Sequence, residues 1–254
     1  QLHAMATLGS KIVLFGGTNG FSILSDTWEW DGMTWVERTT APAPPARYNH
    51  AMATAGTKVV LFGGTNGSLL GDTWEWSGSS WTKRTPAENP PARDGHAMAP
   101  LGNGALLFGG TGSSTLSDTW FWDGATWIQQ NSTSTPPAIA GHAMSKLGNK
   151  VMLFGGNGAT TWQWVPPAAD GATCSSDAAC GSGACVDGVC CSTPCGGNDL
   201  TDCQACSIAA GASVDGVCEL LPATTECRAA TCERDIAVSQ AVCSGTSMDC
   251  PARV

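Results

Sequence analysis

Every histidine of this 254-residue chain opens the same tripeptide: His3-Ala-Met, His50-Ala-Met, His96-Ala-Met and His142-Ala-Met, at spacings of 47, 46 and 46 residues. A period of that length marks an array of one supersecondary unit, because a single unit cannot bury its own apolar face. Each copy runs through a Gly-containing turn (Leu8-Gly9-Ser10, Ala55-Gly56-Thr57, Leu101-Gly102-Asn103, Leu147-Gly148-Asn149) into an apolar run ending Leu-Phe-Gly-Gly. The doublets are Gly16-Gly17, Gly63-Gly64, Gly109-Gly110 and Gly155-Gly156. A loop of variable length follows, then Asp26-Thr-Trp-Glu-Trp30, Asp72-Thr-Trp-Glu-Trp76 or Asp118-Thr-Trp-Phe-Trp122, and a further strand opening at Trp35, Trp81 or Trp127. Four short strands per copy result.

Alternation supports strands over helices: Trp28 and Trp30 fall on one face and Glu29 on the other, which suits a half-buried strand. Asp31-Gly32 and Asp123-Gly124 predict two-residue hairpins in which both turn residues take positive φ. Four antiparallel strands every 46 residues, with no helical segment between copies, predict an all-β chain in which each repeat is one propeller blade.

These residues resemble kelch repeats. The resemblance covers residues 3–164 and rests on the Gly doublet closing the second strand, the Trp about ten residues later and the Pro-Pro-Ala-Arg-x-x-His links Pro44–His50 and Pro90–His96. It implies that the doublet lets neighbouring blades approach closely and that the Trp packs between blades. The fourth copy loses its Asp, shortens around Trp162 and meets Pro166-Pro167 where a fourth strand would begin. Proline cannot donate to a strand ladder, so this blade is expected to have three strands. Kelch propellers generally have six or seven blades, so three full repeats and a partial one are read as part of a larger propeller, with a four-bladed ring as the alternative.

If strands alternate in direction, the loops after each second strand share one face with the links between blades. Residues 18–24, 65–70 and 111–116 differ there among copies, as do the links 39–49, 85–95 and 131–141. Varied loops on a rigid scaffold make this the expected binding face, with Asn19, Phe21, Tyr48, Asn66, Leu69, Asp94 and Ser113 as candidate residues.

Catalysis finds little support. His3, His50, His96 and His142 occupy one repeat position and would be spread around a ring, so they are read as structural, as are the matching pairs Arg47/Arg93 and Arg38/Arg84. Trp28, Trp74, Trp120 and Trp162 recur in register and are read as core, not as sugar-stacking platforms. Galactose-oxidase-like copper enzymes need tyrosine ligands and a cysteine-modified tyrosine, but Tyr48 is the chain's one tyrosine and no cysteine precedes Cys174. Sialidase turns carry a Ser and a different Asp spacing from Trp28–Trp35. No cofactor, catalytic residue or metal site is expected.

All 11 tryptophans lie between Trp28 and Trp164, and all 13 cysteines between Cys174 and Cys250. The sequence therefore divides into blades over 1–164, a Pro/Ala/Gly linker over 165–171 and a cysteine-rich region over 172–254, in which 174–218 and 227–254 are two candidate units. Formal charge is −2 over residues 1–170 and −7 over 171–254, which opposes binding to nucleic acid or an anionic membrane. Apolar runs stop far short of the roughly 20 residues of a spanning helix. Residues 171–254 contain no Phe, Trp or Tyr, so cross-links or metal must hold this loop-dominated region. Disulfides among Cys174, Cys180, Cys185, Cys190, Cys191, Cys195, Cys203, Cys206, Cys218, Cys227, Cys232, Cys243 and Cys250 are the favoured reading, with one sulfur left over. Zinc is the alternative, although Cys203-Gln-Ala-Cys206 is the one close Cys-x-x-Cys pair.

The spacing over 174–218 resembles cysteine-rich segments of large secreted bacterial proteins and the N-terminal cysteine-rich domain of Dickkopf proteins, which implies an extracellular, cell-surface or periplasmic setting. The expected function is an interaction protein whose loop face binds a protein or polysaccharide, with the cysteine-rich region as stalk or second contact site. The alternatives are a piece of a secreted carbohydrate-active enzyme with its catalytic residues in other blades, and a spacer without a defined ligand.

Overall fold

The computed structural model describes residues 1–131, 135–156 and 160–166 continuously, then short stretches between 172 and 191 and the backbone of short paired strands between 204 and 242. The chain forms two compact units, Gln1–Val165 and Pro166–Val254.

The first unit is four antiparallel sheets. The first holds β1 (Ala4–Leu8), β2 (Lys11–Thr18), β3 (Ile23–Trp30) and β4 (Trp35–Glu37), in that order. The second holds β5 (Ala51–Ala55), β6 (Lys58–Phe62), β7 (Thr73–Trp76) and β8 (Trp81–Arg84). The third holds β9 (Ala97–Leu101), β10 (Gly104–Phe108), β11 (Thr119–Trp122) and β12 (Trp127–Gln130). Among the described residues the fourth has three strands, β13 (His142–Leu147), β14 (Lys150–Gly155) and β15 (Thr161–Trp164), as Pro166 predicts. The innermost strands pack in sequence, β1 on β5, β5 on β9 and β9 on β13. The result is all-β and propeller-like.

The central sheets are covered on both faces. Along β6, Val59 and Leu61 join Phe15, Trp74, Trp76 and Trp81 at the first junction, while Val60 and Phe62 join Trp120, Trp122 and Trp127 at the second. This corrects the half-buried reading of the Trp-Glu-Trp strands. Glu29 and Glu75 are 2% and 3% exposed, because each faces the sheet that follows; the second sheet is covered on its other face too, whereas Trp28 and Trp30 of the first sheet stay half-buried. Glu29 accepts from Lys11 and Arg38 of its own sheet and from Trp76 Nε1 of the next at 3.1 Å; Glu75 likewise meets Lys58, Arg84 and Trp122. Burial opposes ionisation of Glu29, but the Lys11, Trp76 and Arg38 hydrogen bonds outweigh it and hold the carboxyl below its ordinary range.

The Asp-Gly hairpins also differ from expectation. β3 and β4 are joined by four residues, 31–34, and only Gly32 has positive φ. Asp31 acts through its side chain, Oδ1 accepting from Met33 N and Thr34 N at 2.8 Å, and Asp123 does the same for Ala125 and Thr126. An aspartate that bonds its own turn is the Asx alternative to a left-handed Asp. At the doublets, glycine is required by both conformation and space. Gly63 has φ +65°, and a Cβ there would lie 2.6 Å from the Arg93 carbonyl oxygen; on Gly64 it would lie 2.7 Å from the His50 Cβ.

In the second unit, β16 (Cys185–Val186) pairs with β17 (Val189–Cys190), and bridges join Cys174 to Cys185 and Cys180 to Cys190. Cys191 is disulfide-bonded too. Further on, Gln204–Ala205 pairs with Glu219–Leu220, Glu226–Arg228 with Ala241–Val242 and Thr231–Glu233 with Ile236–Val238. The bridging of Cys195, Cys203, Cys206, Cys218, Cys227, Cys232, Cys243 and Cys250 lies outside the described residues.

Candidate functional site

The face where links meet the second-strand loops is built on a repeated clasp. Arg47, fully buried, receives Gly17 N on its carbonyl at 2.8 Å and donates its own N–H to Leu24 O, which fixes it to the first sheet. Its guanidinium reaches into the second sheet, bonding Gly63 O at 2.9 Å and gripping Asp72 in a bidentate pair at 2.7 and 2.8 Å. Arg93 repeats each bond one junction on, to Gly64 N, Leu70 O, Gly109 O and Asp118. Burial raises the cost of ionising Asp72 and Asp118, but the arginine hydrogen bonds and charge keep both carboxyls below the ordinary value. The arginines read as structural are structural, and they join neighbouring sheets.

A second tie runs along the same face: Asn49 N donates to Leu2 O at 3.1 Å, Gly95 N to Asn49 O at 2.9 Å and Gly141 N to Gly95 O at 2.8 Å. Leu2, Asn49, Gly95 and Gly141 all have positive φ. Sequence reading missed this cord. Its signal was the residue before each histidine, which is Asn or Gly in three of four copies, the types that accept a left-handed backbone.

The candidate binding residues divide by role. Tyr48 and Asp94 occupy equivalent places beside this cord, half-buried, and pair through their backbones with Thr65 and Thr111. The Asp94 carboxylate accepts from Asn49 Nδ2 at 3.4 Å, which joins successive links. Asn19 and Asn66 build their loops: Asn19 Oδ1 accepts from Phe21 N and Ser22 N, and Asn66 Oδ1 from Ser68 N. Phe21 stands at a loop tip, 99% exposed, with Leu69 39% exposed and Ser113 exposed in the equivalent loops. The fold therefore occupies the asparagines and leaves Phe21, Leu69 and Ser113 free on the surface.

Three of the histidines are core residues. His50, His96 and His142 meet Phe15, Phe62 and Phe108 of the preceding sheet edge-on at 5.6 to 5.7 Å. His3, the equivalent in the first sheet, is exposed. Burial, reinforced by the Arg47 charge for His50 and the Arg93 charge for His96, lowers each pKa to about 3, and burial lowers that of His142 as well. The native state thus holds neutral rings that the unfolded chain protonates below pH 6.5. Stability is complete above that value and falls as pH drops from 6.5 toward 3, by about 1.4 kcal/mol per pH unit for each of His50 and His96. Moving from pH 7 to 5 should cost about 2 kcal/mol per ring, and His96→Phe should remove its share. Urea titrations of both proteins at the two pH values measure it; a pH response unchanged in His96→Phe would refute it.

The cysteine cluster is not a metal centre in this structure's bonding. The sulfurs of Cys174, Cys180 and Cys190 lie within 4.8 Å of one another, as ligands would, but each is spent in one of the two adjacent bridges.

With blades, clasp and doublets in place, residues 2–163 match the family model described as the KLHDC2/KLHL20/DRC7 kelch-repeats domain. This chain belongs to the kelch-repeat family. Kelch propellers are mainly non-enzymatic scaffolds and commonly serve protein–protein interaction. No curated protein matches the chain. Among the described residues of this kelch chain, no helix is long and apolar enough to cross a membrane.

Proposed function

We propose that this kelch chain is an interaction protein of an oxidising compartment, extracellular or periplasmic, whose loop face binds another protein. The observation that carries the reading is Phe21: a fully exposed aromatic ring on a loop whose base is pinned by buried hydrogen bonds, with Leu69 exposed in the equivalent loop. An exposed aromatic side chain on a loop whose backbone is already tied by hydrogen bonds has the properties of an interface anchor, since it brings apolar area while the loop itself needs little ordering at binding. The bridges of the second unit support the location, because disulfides persist where thiols are not kept reduced.

The binding half is tested by immobilising the chain and the variant Phe21→Ser/Leu69→Ser, and measuring retention of purified secreted proteins and cell-wall polysaccharides. Protein retention should fall about tenfold in the variant, the consequence of losing about 1.4 kcal/mol of anchor energy. Equal retention by the two forms would favour a spacer, and retention of polysaccharide alone would replace protein with glycan as ligand. Alkylation without reductant followed by intact mass tests the location: at most one of the 13 cysteines should take up label.

A further inference from the structure

The fourth strands of the second and third blades each carry a tryptophan that fills one particular slot. Trp81 lies edge-on to Phe15 at 5.3 Å, leans on Trp76 at 5.4 Å and donates Nε1–H to Thr27 Oγ1 at 2.9 Å. One junction on, Trp127 makes the same three contacts, with Phe62 at 5.3 Å, Trp122 at 5.4 Å and Thr73 Oγ1 at 3.0 Å. Both indoles are 1% exposed. The third junction supplies the same walls in Phe108, Trp164 and Thr119, but among the described residues no strand follows β15 in its sheet. In place of a ring there is a cavity of about 250 Å³, lined by Phe108, Thr119 and Trp164 together with Leu106, Leu153 and Trp162. Thr119 is 4% exposed, and among the described residues no side chain bonds its hydroxyl.

We infer that this cavity is a binding site for an indole ring, delivered by a tryptophan on an extended segment of a partner protein that pairs with the open edge of β15. The two filled junctions give its register. Trp81 stands opposite Trp76 and Arg84 opposite Thr73, so the incoming tryptophan stands opposite Trp164 and the residue three places later opposite Thr161. Thr119 supplies the acceptor that distinguishes indole from phenyl, and Phe108 and Trp164 supply the apolar walls. Residues 166–254 contain no aromatic residue, so none of them fills the slot with a ring. A preformed cavity of this size with largely apolar walls takes up an aromatic ring without first opening the fold. Pro136 of the link 131–141 also lines the cavity, yet the inference rests on the β15 edge and not on the loop-face reading.

The probe is a peptide copying the chain's own fourth strand, Ala125-Thr-Trp-Ile-Gln-Gln-Asn-Ser132, titrated into the full chain by calorimetry. The peptide should bind, its Trp→Ala version at least tenfold more weakly and its Trp→Phe version at an intermediate strength. The protein variant Thr119→Val should weaken the tryptophan peptide about fivefold, the worth of one hydrogen bond, while leaving the phenylalanine peptide unchanged. Because the peptide series uses the unaltered protein, it decides the matter even if Thr119→Val fails to fold. Equal binding of the tryptophan and alanine peptides, or no binding of either at millimolar concentration, overturns the site. Concentration-dependent self-association that competes with the peptide overturns the partner, since the occupant is then a second copy presenting its exposed Trp35.

Discussion

Trp127→Ala should lower the stability of the blade unit by about 4 kcal/mol, whereas Trp35→Ala, the same change at the same repeat position, should cost less than about 1 kcal/mol. The difference follows from neighbours. Trp127 is 1% exposed between Phe62, Trp122 and Thr73, so truncation leaves a large cavity and an orphaned hydroxyl. Trp35 is 43% exposed and leans only on Trp30 of its own sheet. Urea unfolding followed by tryptophan fluorescence isolates the blades, because all 11 tryptophans lie within residues 28–164. Equal losses at the two positions would mean that the blades are not stabilised junction by junction.

That contrast also marks what the sequence made legible. The period of His, Gly-Gly and Thr-Trp fixes where each strand falls, because packing neighbours in an array demand one residue type at one place in every copy. Pro166 likewise marks where the fourth sheet stops at three strands among the described residues. The burial of Glu29 and Glu75 was hidden, because alternation within one strand reads one face as wet, while the partner that covers it is 47 residues away. The turn at Asp31 was misread because Asp-Gly fits two turn chemistries and only the backbone distinguishes them. On the candidate face, loop variability pointed equally to Phe21, Leu69, Asn19 and Asn66, and could not show that the loops consume the asparagine side chains and leave Phe21 and Leu69 exposed. Cysteine spacing favoured bridges over zinc and left open that Cys174 pairs with Cys185 and Cys180 with Cys190.

The clasp was legible in a way that yields the second large effect. Where the third junction has Ile139 in the arginine position, it also has Thr160 in the aspartate position, so both partners are absent together. The backbone does not register the change: Ile139 keeps the bonds to Gly110 N and Leu116 O at 2.8 and 3.0 Å, matching those of Arg93 to Gly64 N and Leu70 O at 2.9 and 3.1 Å. Arg93→Ile alone should therefore fold with its strand register intact and lose about 3 kcal/mol, chiefly because Asp118 is left as a partly buried charge without its counter-ion. Adding Asp118→Thr removes that charge and should restore more than half of the loss, even though the Trp120 indole then loses its acceptor. A double-mutant cycle in urea measures the coupling. If the second substitution instead deepens the loss, the pair contributes more by attraction than its desolvation costs, and the third junction must gain its stability from its apolar contacts among Leu101, Phe121, Val151 and Trp164.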